Sequence, residues 1–162
     1  MSDLSRQHGK RWEQYVRREC SGLREAGLAL VRKNWRAPEV PESGTRARIE
    51  PSKPDFSGVL RGGRHVVFEA KATLSDTSFS FSNITDHQWD HLDQADAAGA
   101  MSFLYLLDGE RRKWVVPWWV VLELDDERSS YPFDSYPRHR KRRGETWLDA
   151  LQRLGQIDQE AA

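Results

Sequence analysis

The stretch Pro54-Asp55-Phe56-Ser57-Gly58 is followed by Phe68-Glu69-Ala70-Lys71. Two carboxylates brought close together can bind a hard divalent cation such as Mg²⁺ through oxygen. Such a cation shields a phosphodiester, polarises it and lowers the pKa of a bound water. A lysine two residues beyond the second carboxylate shares its strand face, because side chains alternate with period two. Glu69 and Lys71 therefore point together and Ala70 points the opposite way. Lys71 is then placed to orient an attacking water or to offset charge in the transition state. A charged surface hairpin would show the same residue types. What separates the two readings is Val66-Val67-Phe68, an apolar run expected of a buried strand. An ionic pair at the end of such a strand is partly desolvated, which costs energy unless a partner compensates.

The elements that must position these residues are legible around them. Asp55 to Leu60 and Arg64 to Lys71 read as two strands around Gly62-Gly63, a hairpin signal. If Leu60 pairs with Arg64 across a three-residue turn, Asp55 falls directly opposite Glu69, on the same face and about 5 Å away at Cβ. A two-residue turn would put them on opposite faces, unless a bulge restored the match. Phe79 to Ser82 is expected to extend this sheet. Thr85 and Gln88 fit a capping box that opens a helix running to about Ala98. Met101 to Leu107 is a buried strand, Asp108-Gly109 turns it, and Lys113 to Val116 returns. A short helix begins near Pro117.

Upstream, Trp12, Tyr15, Val16, Leu23 and Ala26 recur at helical spacing over residues 5–27, with Gly27 as the stop. Leu28 to Trp35 follows as a strand. Residues 37–54 carry Pro38, Pro41, Gly44, Pro51 and Pro54 and read as a long irregular connection. Residues 127–145 read as irregular and basic, and a last helix is expected over Glu145 to Gln159. The order of elements predicts an α/β sandwich.

Other chemistries fare worse. His87 and His91 have the i, i+4 spacing of zinc peptidases, but residue 88 is Gln where such an enzyme needs a Glu base. His87 reads instead as a phosphate contact or a helix cap. The one cysteine, Cys20, excludes an intrachain disulfide and a cysteine zinc cage, and a reducing, cytoplasmic setting is the default. No apolar run approaches the roughly 20 residues that span a bilayer, and the N-terminus lacks the apolar stretch of a signal peptide. Lys plus Arg equals Asp plus Glu, 25 each. The charges are nevertheless segregated. Basic residues gather at Arg6, Lys10, Arg11, Arg17, Arg18 and Arg24, at Arg46, Arg48 and Lys53, and over residues 138–143, a pattern compatible with one basic face. The last run, flanked by Tyr131, Pro132, Tyr136 and Pro137, reads either as solvated surface or as a flexible arm lying on DNA.

Pro54-Asp55 with Glu69-Ala70-Lys71 resembles the motif that names the PD-(D/E)xK nuclease superfamily. The longer set is similar to RecU-type Holliday-junction resolvases in order and approximate spacing. It comprises Asp55-Phe56-Ser57-Gly58, Phe68-Glu69-Ala70-Lys71-Ala72-Thr73 and Asn83-Ile84-x-x-His87-Gln88, with Gly9-Lys10-Arg11-Trp12-Glu13 and Gly27-Leu28-Ala29-Leu30-Val31 upstream. The likeness covers residues 5 to 120. It implies a restriction-endonuclease-like α/β fold, a central mixed β-sheet flanked by helices. It also implies that Asp55, Glu69 and the backbone carbonyl of Ala70 ligate Mg²⁺, with Mn²⁺ as a substitute. Lys71 would serve the water nucleophile and Gln88 would support the site. Glu13 would assist a metal or hold a basic residue. DNA contacts fall to Lys10, Arg11, Arg46, Arg48, Lys53, Thr73 and His87. One departure is that the region from Arg36 to Lys53 is shorter and richer in proline than the projecting stalk of such resolvases.

The resulting expectation is an Mg²⁺-dependent endonuclease resolving four-way DNA junctions. The alternatives are a restriction-like or repair nuclease, and a non-catalytic DNA-binding recombination module. Residues 1–126 form the nuclease domain, and 127–162 a basic irregular segment with a C-terminal helix, part of the same domain. Paired nicks call for a homodimer. Trp114, Trp118, Trp119 and the adjacent valines exceed what one short strand and helix need for their own core, and with Phe79 and Phe81 they are the expected dimer surface.

Overall fold

The protein is described by a computed structural model over residues 3–34 and 54–157. Arg46, Arg48, Lys53 and most of the proline-rich connection lie outside the described residues. Helix α1 (Asp3–Glu25) buries Trp12, Val16, Cys20 and Leu23, a single apolar stripe. It ends where Gly27 takes φ +68°. The Leu28 N–H then bonds the Leu23 carbonyl and the Gly27 N–H bonds that of Arg24, which satisfies carbonyls the helix leaves unpaired.

Strands β1 (Ala29–Lys33), β2 (Phe56–Leu60), β3 (His65–Ala72), β5 (Met101–Leu107) and β6 (Lys113–Pro117) form the main sheet in the order β1-β2-β3-β5-β6. Only β3 and β5 run parallel. All seven residues of β5 are buried, as both faces of the central strands are covered. Period-two alternation divides the core. Phe56, Val66, Phe68, Phe103 and Tyr105 face α1 and the C-terminal helix α4 (Trp147–Arg153). Val67, Leu104, Leu106 and Val116 face α2 (Asp86–Ala97) and α3 (Trp118–Asp125). β1 and β2 approach so closely that a Cβ at Gly58 would lie 2.0 Å from the Leu30 carbonyl oxygen, so no other residue fits there. No helix among the described residues is long and apolar enough to cross a membrane.

Four expectations are corrected. Strand β4 (Ser78–Ser80) does not extend the main sheet; it pairs with β7 (Ser130–Pro132) in a separate two-stranded sheet. Both edges of β3 are already taken by β2 and β5, so the chain leaving it has no ladder there to join. The segment after residue 127, read as irregular, is packed, and of the two readings of the run 138–143 the flexible arm is not the one found. Tyr131 and Phe133 are fully buried, and Phe133 stacks on Trp114 at 5.0 Å. Lys141 bonds the Tyr15 hydroxyl at 3.2 Å and pairs with Glu19 at 3.6 Å. Glu19 in turn accepts from the Trp147 N–H and the Tyr105 hydroxyl. Helix α4 is shorter than Glu145–Gln159, because Gly155 at φ +70° terminates it. Lastly, Trp114, Trp118, Phe79 and Phe81 are buried within the chain's own second core cluster. Only Trp119 is exposed, and its indole N–H bonds Gln156. The apolar surplus read as a dimer surface is consumed internally.

Candidate active site

The β2–β3 hairpin closes through Arg61-Gly62-Gly63. Both glycines take positive φ, 90° and 92°, and the Leu60 N–H bonds the Arg64 carbonyl at 2.9 Å. The connection is therefore the three-residue one. The ladder runs Val59↔His65, Gly58↔Val66, Ser57↔Val67, Phe56↔Phe68, and its next step sets Asp55 opposite Glu69. The Asp55 N–H donates to Glu69 Oε1 at 3.0 Å. One step further, the alternation turns the Ala70 carbonyl toward Pro54, and proline has no N–H to offer it. Asn34 fixes this end of β2. Its N–H bonds the Asp55 carbonyl, and its Nδ2 donates to the Pro54 carbonyl and Ser57 Oγ, both at 2.9 Å. Sequence reasoning missed Asn34; the only local signal is a polar residue closing an alternating strand.

Glu69 is fully buried on the α2 side of the sheet, and α2 arrives there in a fixed register. Thr85 caps it, accepting from the Gln88 N–H at 3.4 Å, while Gln88 Oε1 accepts from the Thr85 N–H at 3.1 Å. The same amide reaches across to the strand. Its Nε2 donates to Glu69 Oε2 at 2.8 Å and its Oε1 accepts from Lys71 Nζ at 2.9 Å. Lys71 Nζ lies 3.8 Å from Glu69 Oε2. One buried glutamine thus caps a helix, orients a carboxylate and holds an ammonium.

Burial raises the Glu69 carboxyl to about 9, the facing Asp55 carboxyl adds to this, and Lys71 offsets part of it. Such a pair suits a divalent cation, which would supply the positive charge that a shared proton otherwise provides. No group of three or more His, Cys, Asp and Glu that could hold a metal occurs among the described residues. Two carboxylates with a backbone carbonyl beside them would suit Mg²⁺, because that ion keeps several waters. His87 and His91, both exposed, have no third ligand among the described residues.

Asp55, Glu69, Lys71 and Gln88 therefore converge. Glu13 stands apart as a holder of cations, 2.5 Å from Lys33 and 3.6 Å from Arg17. Lys33 pairs with Phe56, next to Asp55. Lys10 and Arg11 are exposed on α1, and Arg11 lines a cavity of about 440 Å³ with Trp12, Tyr15 and Lys113. Thr73 sits half-buried past the end of β3, accepting from the Ser75 N–H. His87 is exposed in the first turn of α2.

Gln88→Ala strips Glu69, Lys71 and the Thr85 N–H of one partner each. Expected costs are about 1–3 kcal/mol of stability and roughly 10–100-fold in turnover, the usual effect of losing a group that orients metal ligands. Paired urea melts and single-turnover rates measure both, and parental turnover would show that Gln88 serves only as a helix cap.

Residues 7–129 match the sequence profile of the family described as RecU, Recombination protein U. The chain is 29% identical over 136 residues to the Holliday junction resolvase RecU of Geobacillus kaustophilus (strain HTA426), covering 72% of this chain and 66% of that protein. It is 35% identical over 110 residues to the like-named protein of Bacillus thuringiensis (strain Al Hakam), covering 62% and 53%. The chain thus spans just under two thirds, or less, of the curated relatives it matches. Among solved structures it is similar to Archaeoglobus fulgidus Hjc, described as a Holliday junction resolvase. The identity is 20%, the TM-score 0.49, and 80% of this chain and 92% of that one are covered.

Proposed function

Because the chain belongs to the RecU family, we propose that it is a divalent-metal-dependent endonuclease that resolves four-way DNA junctions by paired phosphodiester hydrolysis. The observation that carries this reading is the cross-strand placement of Asp55 against Glu69, with Lys71 on the same face and Gln88 bonded to both Glu69 and Lys71. A non-catalytic binding module needs none of it. Asp55, Glu69 and the Ala70 carbonyl would hold Mg²⁺ or Mn²⁺. Bound there, the ion would neutralise charge on the scissile phosphate and acidify a water.

Lys71, held by Gln88 and about one-fifth exposed, donates to the attacking water or to a phosphate oxygen as charge builds. Lys10, Arg11, Thr73 and His87, with Arg46, Arg48 and Lys53 of the proline-rich connection, contact the DNA backbone. A DNA substrate and a single buried, unpaired cysteine go with a cytoplasmic setting. Two symmetry-related nicks need two sites, and each chain carries one, so the working form is a C₂ homodimer. Its interface buries over about 1,000 Å² on a face other than Trp114 and Trp118.

A synthetic four-way junction and a linear duplex of the same sequences test the reading. The junction is cut into ligatable nicked duplexes in Mg²⁺, the duplex is spared, Ca²⁺ supports binding without turnover, and excess EDTA stops cleavage. Sedimentation at micromolar concentration gives two chains per particle. Equal cutting of duplex and junction by a monomer would replace resolution with simpler nuclease chemistry, and activity in EDTA would remove the metal.

A further inference from the structure

The run of cations at residues 138–143 lies beyond the part of the chain that matches the family, which ends at residue 129. It is folded into a basin. A cavity of about 370 Å³ is lined by Pro137 and otherwise only by cationic residues. Arg153 builds it. Its Nη1 donates to the Arg138 carbonyl at 2.7 Å, its Nη2 to the Arg140 carbonyl at 3.1 Å, and its Nε to Glu145 Oε1 at 2.8 Å. Lys141 is likewise committed to Glu19 and Tyr15. Arg138, Arg140 and Arg143 are exposed and have no carboxylate partner within ion-pair distance among the described residues. The positive field is felt inside the protein. Burial, then Arg138 and Arg153, hold the neighbouring His139 at about 4.

Like charges fixed this close repel one another, a cost that a bound polyanion relieves. The basin also has a defined position relative to the cleavage site. The sheet register runs Lys71↔Leu106, Leu106↔Trp114, and Trp114↔Arg140 by an isolated bridge. Arg140 therefore lies in the same transverse row as Lys71, three strand spacings away or about 14 Å.

We infer that this basin is a second DNA-phosphate site, in which Arg138, Arg140 and Arg143 grip the backbone of a duplex arm beyond the cleavage site. The inference rests on the nuclease reading, since Lys71 is taken to mark where the scissile phosphate sits. It extends the DNA contacts into a segment that the family match does not cover, and it explains why a chain of zero net charge concentrates cations there.

The test is the salt dependence of junction binding by the full chain carrying Asp55→Asn to prevent turnover, with and without Arg138→Gln, Arg140→Gln and Arg143→Gln together. Each phosphate contact contributes about 0.9 to the slope of log affinity against log salt, so the triple variant should be shallower by about 2.7. Replacing the same three residues by lysine should keep the parental slope. The single variant Arg143→Gln, whose side chain makes no hydrogen bond among the described residues, should lose about 0.9 and guards against misfolding of the triple variant. Parental slopes in both glutamine variants would overturn the basin while leaving the nuclease reading intact. A parent that binds no DNA would overturn both.

Discussion

Glu69→Gln is expected to lower the cleavage rate on the order of a thousandfold or more while leaving the metal-free protein at least as stable as the parent. The two effects have one cause. Glu69 is fully buried on the sheet face that meets α2, and its ionised form is disfavoured there first by burial and then by Asp55. A neutral amide of nearly the same shape removes that cost, and it also removes the charged oxygen proposed to ligate the metal. Asp55→Asn should match the loss of activity. DNA affinity in Ca²⁺ should stay within a fewfold of the parent in both variants, because the proposed reading assigns the backbone phosphates to other cations. Rapid-quench cleavage and thermal melts in EDTA are the measurements. A Glu69→Gln protein that melts well below the parent would mark Glu69 as a structural acceptor, and one that cuts at the parental rate would remove it from the metal site.

The second large effect lies far from the carboxylates. Trp147→Ala should cost about 3–5 kcal/mol, a large share of the 5–15 kcal/mol typical of a domain. The Trp147 side chain is fully buried, 5.5 Å from the Phe68 ring and 5.6 Å from Phe103, ring centroid to centroid. Phe68 immediately precedes Glu69, so the C-terminal helix props the strand that carries the site. Truncation after Ser129 should be worse still, since it also uncovers Trp114 by removing Phe133. Urea midpoints decide the matter, and a loss under about 1 kcal/mol would show that the segment is appended to the domain rather than part of its core.

That segment is also where the sequence was least legible. Strand β5, the capping box of α2 and the hairpin could be read because each is set by neighbours within a few residues: an apolar run, a Thr85/Gln88 pair, two glycines in a turn. The same local rules gave the pairing of Asp55 with Glu69 only on condition of a three-residue turn, which the sequence left open against a two-residue one. Residues 130–157 offer one such rule, the Thr146/Asp149 capping box that opens α4, but the aromatics around it obey none. Tyr131, Phe133, Trp147 and Leu151 are scattered among prolines and arginines, and their places are fixed by partners distant in sequence. Two errors then fed each other. With the tail read as irregular, Trp114 and Trp118 looked surplus to the core and were assigned to a dimer face. In the fold the missing partner of Trp114 is Phe133, from the segment read as irregular. β4 was misplaced for a related reason, since an apolar alternation says that a strand exists but not which edge remains open to receive it. Asn34 escaped notice because its role is to bond backbone groups across β1 and β2, and a single polar residue announces nothing of that.

The three-residue connection Arg61-Gly62-Gly63 carries a consequence for how this hairpin can change over time. Because strand side chains alternate with period two, the number of residues between Asp55 and Glu69 acts as a parity bit. Removing or adding one residue in the turn would leave every functional side chain in the chain and yet swing one carboxylate to the opposite side of the sheet. Such an indel should be as damaging as deleting Asp55 itself, whereas a change of two residues lengthens or shortens the hairpin and preserves the facing. Length drift in this hairpin is thereby confined to even steps unless a bulge absorbs the odd one, and selection acts on a count as strictly as on an amino acid.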